Sequence, residues 1–344
     1  MNGRGAIPVH SLFYIMMGVM NNQQWCWEEL TPDNIGEVFA LIATVERADS
    51  APIRTARQEV ESYFGESLPW KAQGARCLDS NALIAFGFVR ADYLSGESVI
   101  TISGGVHPDW RRQGLGSELL ERQVDLAGVL AQEINLSEYT VKMYIDERQH
   151  DLADLVRSTK FVHEYSFVQA QKIINPDFPQ NDIGKYLQIK PLSAEYYLPV
   201  YASHLQAVNP DQKYENVQES DIDFAALGYV PQWCFVAVDT FGDRPELAGY
   251  ILCSRFTTSG ANQADEEGYI EELAVFPKWY RRGLEEALID YALQKFFTDG
   301  IQIAGVDLIQ KPDGSEKEIN QKIRAAGFRR VSKTVVVSTK VQLP

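Results

Sequence analysis

A chain of 344 residues, 45% of them hydrophobic, is long enough for two cores of ordinary domain size. Its formal charge of -15 opposes a general nucleic-acid binder, which needs a basic face for the phosphate backbone. Cys26, Cys77, Cys234 and Cys253 form no C-x-x-C pair, and His10, His107, His150, His163 and His204 form no cluster. No metal site is therefore expected, and the cysteines read as reduced core residues of a cytoplasmic protein.

In chain order, residues 6 to 20 are apolar, but only Arg4 precedes them as a basic residue, no clean cleavage site follows, and the run is too short to span a bilayer. Met16, Met17 and Met20 offer alternative starts, so residues 1–24 are expected to be a disordered or mis-assigned extension, and no membrane segment is expected. Trp25 to Leu30 predicts a first strand, and Thr31-Pro32-Asp33 starts a helix that runs through Ile35, Val38, Phe39, Ile42 and Val45 to about Asp49-Ser50-Ala51-Pro52. Thr55 to Phe64 reads as a second short helix. Gly74 to Leu78 and Ala82 to Tyr93 read as a hairpin turning at Asp79-Ser80-Asn81.

Ser98 to Val106 is a β-branched run, and Leu115, Leu119, Leu120, Val124 and Leu126 then recur at helical spacing. Between them lies Val106-His107-Pro108-Asp109-Trp110-Arg111-Arg112-Gln113-Gly114-Leu115-Gly116-Ser117. Gly114 and Gly116 let the backbone approach a ligand. The first-turn amides of the helix lack internal acceptors, and the helix dipole adds partial positive charge. Arg111 and Arg112 add full charges, and the combination suits a pyrophosphate.

This strand, turn and helix, with Arg-x-x-Gly-x-Gly after V-x-P, resembles motif A of the GNAT superfamily of acyl-CoA-dependent N-acetyltransferases. The resemblance implies that Gly105, Val106, Arg111, Arg112, Gln113, Gly114, Leu115, Gly116 and Ser117 hold acetyl-CoA as co-substrate, with no metal.

Further along, Ile134 to Ile145 reads as a strand, His150 to Ser158 as a short helix, and Phe161 to Ile173 as one or two strands. Pro176, Pro179, Asn181 and Gly184 mark a linker. The same order then repeats. Leu187 to Pro191 is a strand, Ala194 to Val208 a helix, Trp233 to Asp239 and Leu247 to Phe256 a hairpin, and Tyr269 to Val275 a strand that meets Val275-Phe276-Pro277-Lys278-Trp279-Tyr280-Arg281-Arg282-Gly283-Leu284-Glu285-Glu286. Val106, Pro108, Trp110, Arg112, Gly114 and Leu115 correspond to Val275, Pro277, Trp279, Arg281, Gly283 and Leu284, and Lys160-Phe161-Val162 to Gly327-Phe328-Arg329.

The expected fold is α/β (a mixed α+β arrangement). It consists of two tandem GNAT-like domains, each a mostly antiparallel twisted sheet flanked by helices: 25–175, a linker at 176–186, and 187–344. Tandem GNAT proteins of the mycothiol synthase-like type are similar in length. In the second copy Gly116 becomes Glu285, Ser117 becomes Glu286 and Arg111 becomes Tyr280, which opposes an anionic ligand. The first copy is therefore expected to bind acetyl-CoA, and the second to shape the acceptor cleft or supply a homodimer surface.

Transfer to an amine requires a neutral nitrogen and a proton for the leaving thiolate. Many GNAT enzymes carry a tyrosine acid four residues before the late Gly-Phe, but Val156 and Ile323 stand there in this chain. Tyr144 is the substitute candidate, and Glu271 and Glu272 are candidate bases, of which strand alternation would turn only one toward the cleft. The matching first-copy positions are Ile102 and Ser103, while Glu46 and Asp49 could attract a cationic amine. The expectation is acetyl transfer to a small-molecule primary amine, with no nucleic-acid or membrane partner. A non-catalytic acyl-CoA-binding protein is the chief alternative. An aminoacyl transferase would need a basic tRNA face, and a plain dinucleotide fold would put the glycines early in a βαβ unit.

Overall fold

In the computed structural model the described residues are 24–51, 55–65, 68–92, 98–178, 182–208, 222–257, 266–315 and 318–343. Residues 1–23 of the expected extension, Pro52, Tyr93 and linker residues 179–181 lie outside them. Among the described residues no helix is long and apolar enough to cross a membrane.

The first half runs β1 (Trp25–Glu29), α1 (Ile35–Ala48), α2 (Arg57–Tyr63), β2 (Trp70–Cys77), β3 (Leu83–Asp92), β4 (Val99–Val106), α3 (Leu115–Glu133), β5 (Glu138–Asp146), α4 (His150–Arg157) and β6 (Val162–Ile173). The second runs β7 (Leu187–Pro191), α5 (Ala194–Val208), β8 (Phe235–Asp239), β9 (Glu246–Thr257), β10 (Glu266–Val275), α6 (Leu284–Thr298), β11 (Ile303–Gln310), α7 (Glu318–Ala325) and β12 (Arg329–Gln342).

Local chemistry explains these elements. α1 buries Val38, Leu41 and Ile42 on one stripe, and the Asn34 side chain accepts the Thr31 N–H at 2.9 Å just before it. α3 buries Leu115, Leu119, Leu120, Gln123, Ala127 and Leu130 on another. β5 starts later than the expected Ile134, because the Ile134 N–H closes the end of α3 on the carbonyls of Leu130 and Gln132. Cys77, Cys234 and Cys253 are buried as expected, but Cys26 is exposed, since β1 is an edge strand with one face open.

All twelve strands join one sheet in the order β1-β2-β3-β4-β5-β12-β6-β11-β10-β9-β8-β7. Among the described residues the only parallel neighbours are β4 with β5 and β10 with β11, and every other pair is antiparallel. The last strand of each half crosses over, so that β12 pairs with β5 and β6 pairs with β11.

The cores follow this exchange. Val337 of β12 packs among Leu120, Leu130, Met143 and Val156 of the first half, while Val168 and Ala170 of β6 pack among Ile270, Leu288 and Phe296 of the second. At roughly 1.5–3 kcal/mol per buried aliphatic side chain, each half takes part of its stability from the other's strand. α3 and α4 cover one face of the first half and α1 and α2 the opposite face. α6 with α7, and α5, do the same in the second.

Candidate active site

The turn after β4 is built by a short 3-10 segment, Pro108–Trp110, and two left-handed residues, Arg112 at φ 60° and Gly114 at φ 89°. No side chain caps Gly114, and the first helical bond of α3 is the Glu118 N–H to the Gly114 carbonyl at 3.1 Å. The amides of Leu115, Gly116 and Ser117 are left without intrahelical acceptors at the positive end of the dipole. A Cβ placed on Gly116 would sit no closer than 3.7 Å to any neighbour, its nearest being Leu155. Packing does not demand that glycine, whose bareness instead keeps the space above the turn open.

That space is a groove. β4 pairs with β5 only from Val99 to Thr101, after which the two parallel strands part. A cavity of about 600 Å³ opens between them, walled by Ile102–Val106, Met143 and Tyr144, and it runs to Gly114, Gly116, Ser117 and Leu155. The free edge of β4 can hydrogen-bond an extended arm. Gln123, buried on α3, donates to the Ser103 carbonyl at 2.7 Å and fixes that edge from behind.

The structure places the expected cofactor residues unevenly. Gly105, Val106, Arg111, Arg112, Gly114, Gly116 and Ser117 line the groove. The Leu115 side chain is in the core, so this residue can offer only backbone, while the Gln113 side chain donates one N–H to the Asp109 carbonyl at 3.0 Å. The arginines are not free charges. Arg111 forks onto Asp49 at 2.6 and 3.1 Å and donates Nε to the Val106 carbonyl at 3.2 Å, while Arg112 pairs with Asp151. Three of the Arg111 N–H groups are engaged and two remain for an anion. Glu46 faces away, accepting from the Thr55 amide at 2.9 Å and from its hydroxyl.

In the second half the same backbone recurs, with Pro277–Trp279, Arg281 at φ 62° and Gly283 at φ 72°. Its contents differ. Glu285 is buried and lies 3.1 Å from Lys322 of α7, and Glu286 lies 3.2 Å from the same ammonium. Burial works against the Lys322 charge, yet the two carboxylates hold its pKa above the ordinary lysine value. Gly116 and Leu155, which leave the first groove open, are thus replaced by an ion pair that joins α6 to α7 across the equivalent gap.

Tyr144 is half exposed on the wall of the first groove. Glu271 and Glu272 are not brought to it; they sit on β10 of the second half. A bulge between Ile270 and Glu272 corrects the expected alternation, because the extra residue leaves both glutamates facing α5. Glu271 accepts from the Ser254 hydroxyl. Glu272 accepts from the Tyr250 hydroxyl and lies 2.5 Å from Nδ1 of His204. That hydrogen bond raises the His204 pKa against partial burial, and burial followed by the Glu272 charge pushes the Tyr229 hydroxyl up to about 12. His204 was not a sequence candidate. The signal was its place on the α5 stripe, at the helical spacing set by the buried Tyr196 and Val200.

Comparison with known proteins places this geometry. Residues 200–310 match the model of the Acetyltransferase (GNAT) family. No curated protein matches the chain. Among solved structures, a GCN5-related N-acetyltransferase from Sphaerobacter thermophilus is similar at a TM-score of 0.70 and 16% identity, over 93% of this chain and 96% of that one. A tandem GNAT protein from the clavulanic acid biosynthesis pathway gives 0.60 and 13%, over 92% and 98%. A glucosamine N-acetyltransferase region of a fungal multi-domain GH3 β-N-acetylglucosaminidase gives 0.65 and 10%, over 92% of this chain and 38% of that one. Residues 200–310 therefore carry a GNAT-family acetyltransferase domain, and the chain as a whole has the fold of tandem GNAT proteins.

Proposed function

We propose that the chain is an N-acetyltransferase that takes acetyl-CoA in the groove of the first half and passes the acetyl group to a primary amine of a small molecule. The observation that carries this reading is the open groove between β4 and β5, which ends on an uncapped helix mouth. The diphosphate would accept hydrogen bonds from the amides of Leu115 to Ser117 and from the remaining N–H groups of Arg111. The pantetheine arm would run along the free edge of β4 past Gly105 toward Ser103.

In the transfer, the lone pair of the neutral amine attacks the thioester carbonyl, the oxyanion meets a β4 backbone N–H, and the C–S bond breaks. Tyr144 on the facing wall donates its proton to the departing thiolate. Ile102 and Ser103 supply no carboxylate, so water takes the proton of the attacking amine.

The same lack of a carboxylate favours a second reading, an acyl-CoA-binding protein that performs no transfer. Assaying acetyl-CoA with a panel of primary amines separates the two. Amine-dependent release of free thiol, with N-acetylated product by mass spectrometry, is expected for the enzyme; acetyl-CoA binding with no thiol released for any amine selects the alternative.

A further inference from the structure

The first half holds its groove edge in a way the second half does not repeat. Gln123 is 4% exposed, on the face of α3 that otherwise buries Leu119, Leu120, Ala127 and Leu130. Its Nε2 donates to the Phe88 carbonyl at 3.2 Å and to the Ser103 carbonyl at 2.7 Å. Two glycines make room for it. A Cβ on Gly87 would stand 2.9 Å from the Gln123 amide. One on Gly104, the partner of Gly87 across the β3–β4 ladder, would stand 3.4 Å from Nε2 and collide with the Phe86 carbonyl oxygen. Counted from the turn, the matching residues of the second half are Ala292, Ile251 and Leu273, which pack together in its apolar core. One of the two copies thus builds the same fold without the glutamine.

The backbone of the first half does not need these bonds either. The His107 N–H donates to the Ile84 carbonyl at 2.8 Å, and the β3–β4 register runs unbroken from Ala85 and Val106 to Asp92 and Val99. Antiparallel alternation therefore turns both backbone groups of Gly105 and Ser103 toward β3, where Ser103 exchanges hydrogen bonds with Phe88. Gln123 adds a second donor to carbonyls that already have one. The same alternation turns the Gly104 N–H to the opposite edge. That edge is marked at one end by the Thr140 N–H donating to the Ser98 carbonyl and at the other by Arg111 donating to the Val106 carbonyl. β5 has parted from β4 before Gly104, so the Gly104 N–H opens on the cavity. It and the Ser103 carbonyl are the two ends of one peptide unit, and a donor at the carbonyl polarises the N–H into a better donor.

We propose that Gln123 is a positioning residue for acyl transfer: by holding and polarising the Ser103–Gly104 peptide from behind, it makes the Gly104 N–H the donor to the thioester carbonyl oxygen. This rests on acetyl-CoA occupying the first groove with its arm along β4. When the amine lone pair adds to the carbonyl carbon, the C=O pair moves onto the oxygen that faces Gly104. It returns as the C–S bond breaks and the departing thiolate takes the Tyr144 proton. A fixed donor at that oxygen acts most strongly in the transition state, where the negative charge appears.

The test is infrared spectroscopy of acetyl-CoA, isotopically labelled at the thioester carbonyl, bound to the full chain; it needs no acceptor amine. In the wild type the carbonyl stretch is expected below its frequency in free acetyl-CoA, as for any carbonyl that accepts a strong hydrogen bond. Gln123→Met, which keeps the length without a donor, and Gln123→Ala, which copies the second half, should each reverse most of that shift while acetyl-CoA affinity stays within about twofold. With any amine the wild type acetylates, kcat should fall about tenfold, less than for loss of a whole oxyanion donor, at unchanged KM for acetyl-CoA. The same carbonyl frequency in the wild type and both variants overturns the proposal. So does loss of binding and of the melting transition together in both variants, which would leave Gln123 a structural role alone. Failure of the wild type to bind acetyl-CoA, read from calorimetry rather than from the spectrum, is a separate result that removes the reading of the first groove and this proposal with it.

Discussion

The two turns after β4 and β10 share a backbone and differ in what that backbone is left to hold. Each has a Pro-x-Trp 3-10 segment, an arginine and a glycine in the left-handed region, and a helix whose first residues follow at once. Besides Tyr280 in place of Arg111, what separates them lies across the gap between two helices, with Gly116, Ser117 and Leu155 in one half and Glu285, Glu286 and Lys322 in the other. A repeat can therefore keep its fold while its capacity for an anion is switched by a small residue facing an apolar one, or by two opposite charges. The inverse holds at the splits, where the first half offers Ile102 and Ser103 and the second Glu271, Glu272 and Asp307. The half with the open turn has no carboxylate at its split, and the half that has carboxylates there has filled the equivalent turn.

The largest effect is expected from copying one half into the other. Gly116→Glu places a carboxylate where the diphosphate would lie and should weaken acetyl-CoA binding by at least about a hundredfold, because like charges meet in a partly desolvated site. The melting temperature should hardly change, since nothing in the fold stands within 3.4 Å of the new Cβ. The reverse exchange, Glu285→Gly with Glu286→Ser and Lys322→Leu, removes the bridge between α6 and α7. A second equivalent of acetyl-CoA by calorimetry is the expected outcome, and an unchanged stoichiometry would mean that these three positions do not decide the difference.

Arg111→Ala should act twice. It takes two donors from the ligand, costing about tenfold in affinity, and it strands Asp49 in a site that is 18% exposed, costing about 1–3 kcal/mol by denaturant unfolding. The counterpart Tyr280→Ala, at a residue 56% exposed, should cost neither. The smallest effect is a titration. The raised His204 pKa means that the pair with Glu272 contributes stability fully at pH below the ordinary histidine value of 6.5, and loses that contribution as pH rises through the raised value. Histidine NMR should show the upward shift, and Glu272→Gln should remove it.

Much of this was legible in the sequence because it is local. The stripes of α1 and α3, the left-handed glycines and the repeated V-x-P-x-W before each turn are all encoded within a few residues of where they act. The strand exchange is not local. β5 and β11 offer equivalent edges, and whether β6 or β12 fills each one is decided by packing such as that of Val168 and Val337 in the opposite cores. The bulge that turns Glu271 and Glu272 to one face leaves no mark in a pattern of alternating residues. Arg111 meets Asp49, 62 positions distant at the end of α1, and His204 meets Glu272, 68 positions distant on β10, so their charges read from sequence as free when the fold has already committed them.

The central claim is that one turn, the first, seats the cofactor. Crystals grown with acetyl-CoA test it most directly. Density for a diphosphate against the amides of Leu115 to Ser117, with the arm passing Gly105 between β4 and β5, is the expected result. A diphosphate found instead at Leu284 to Glu286, with the first groove empty, would contradict the account.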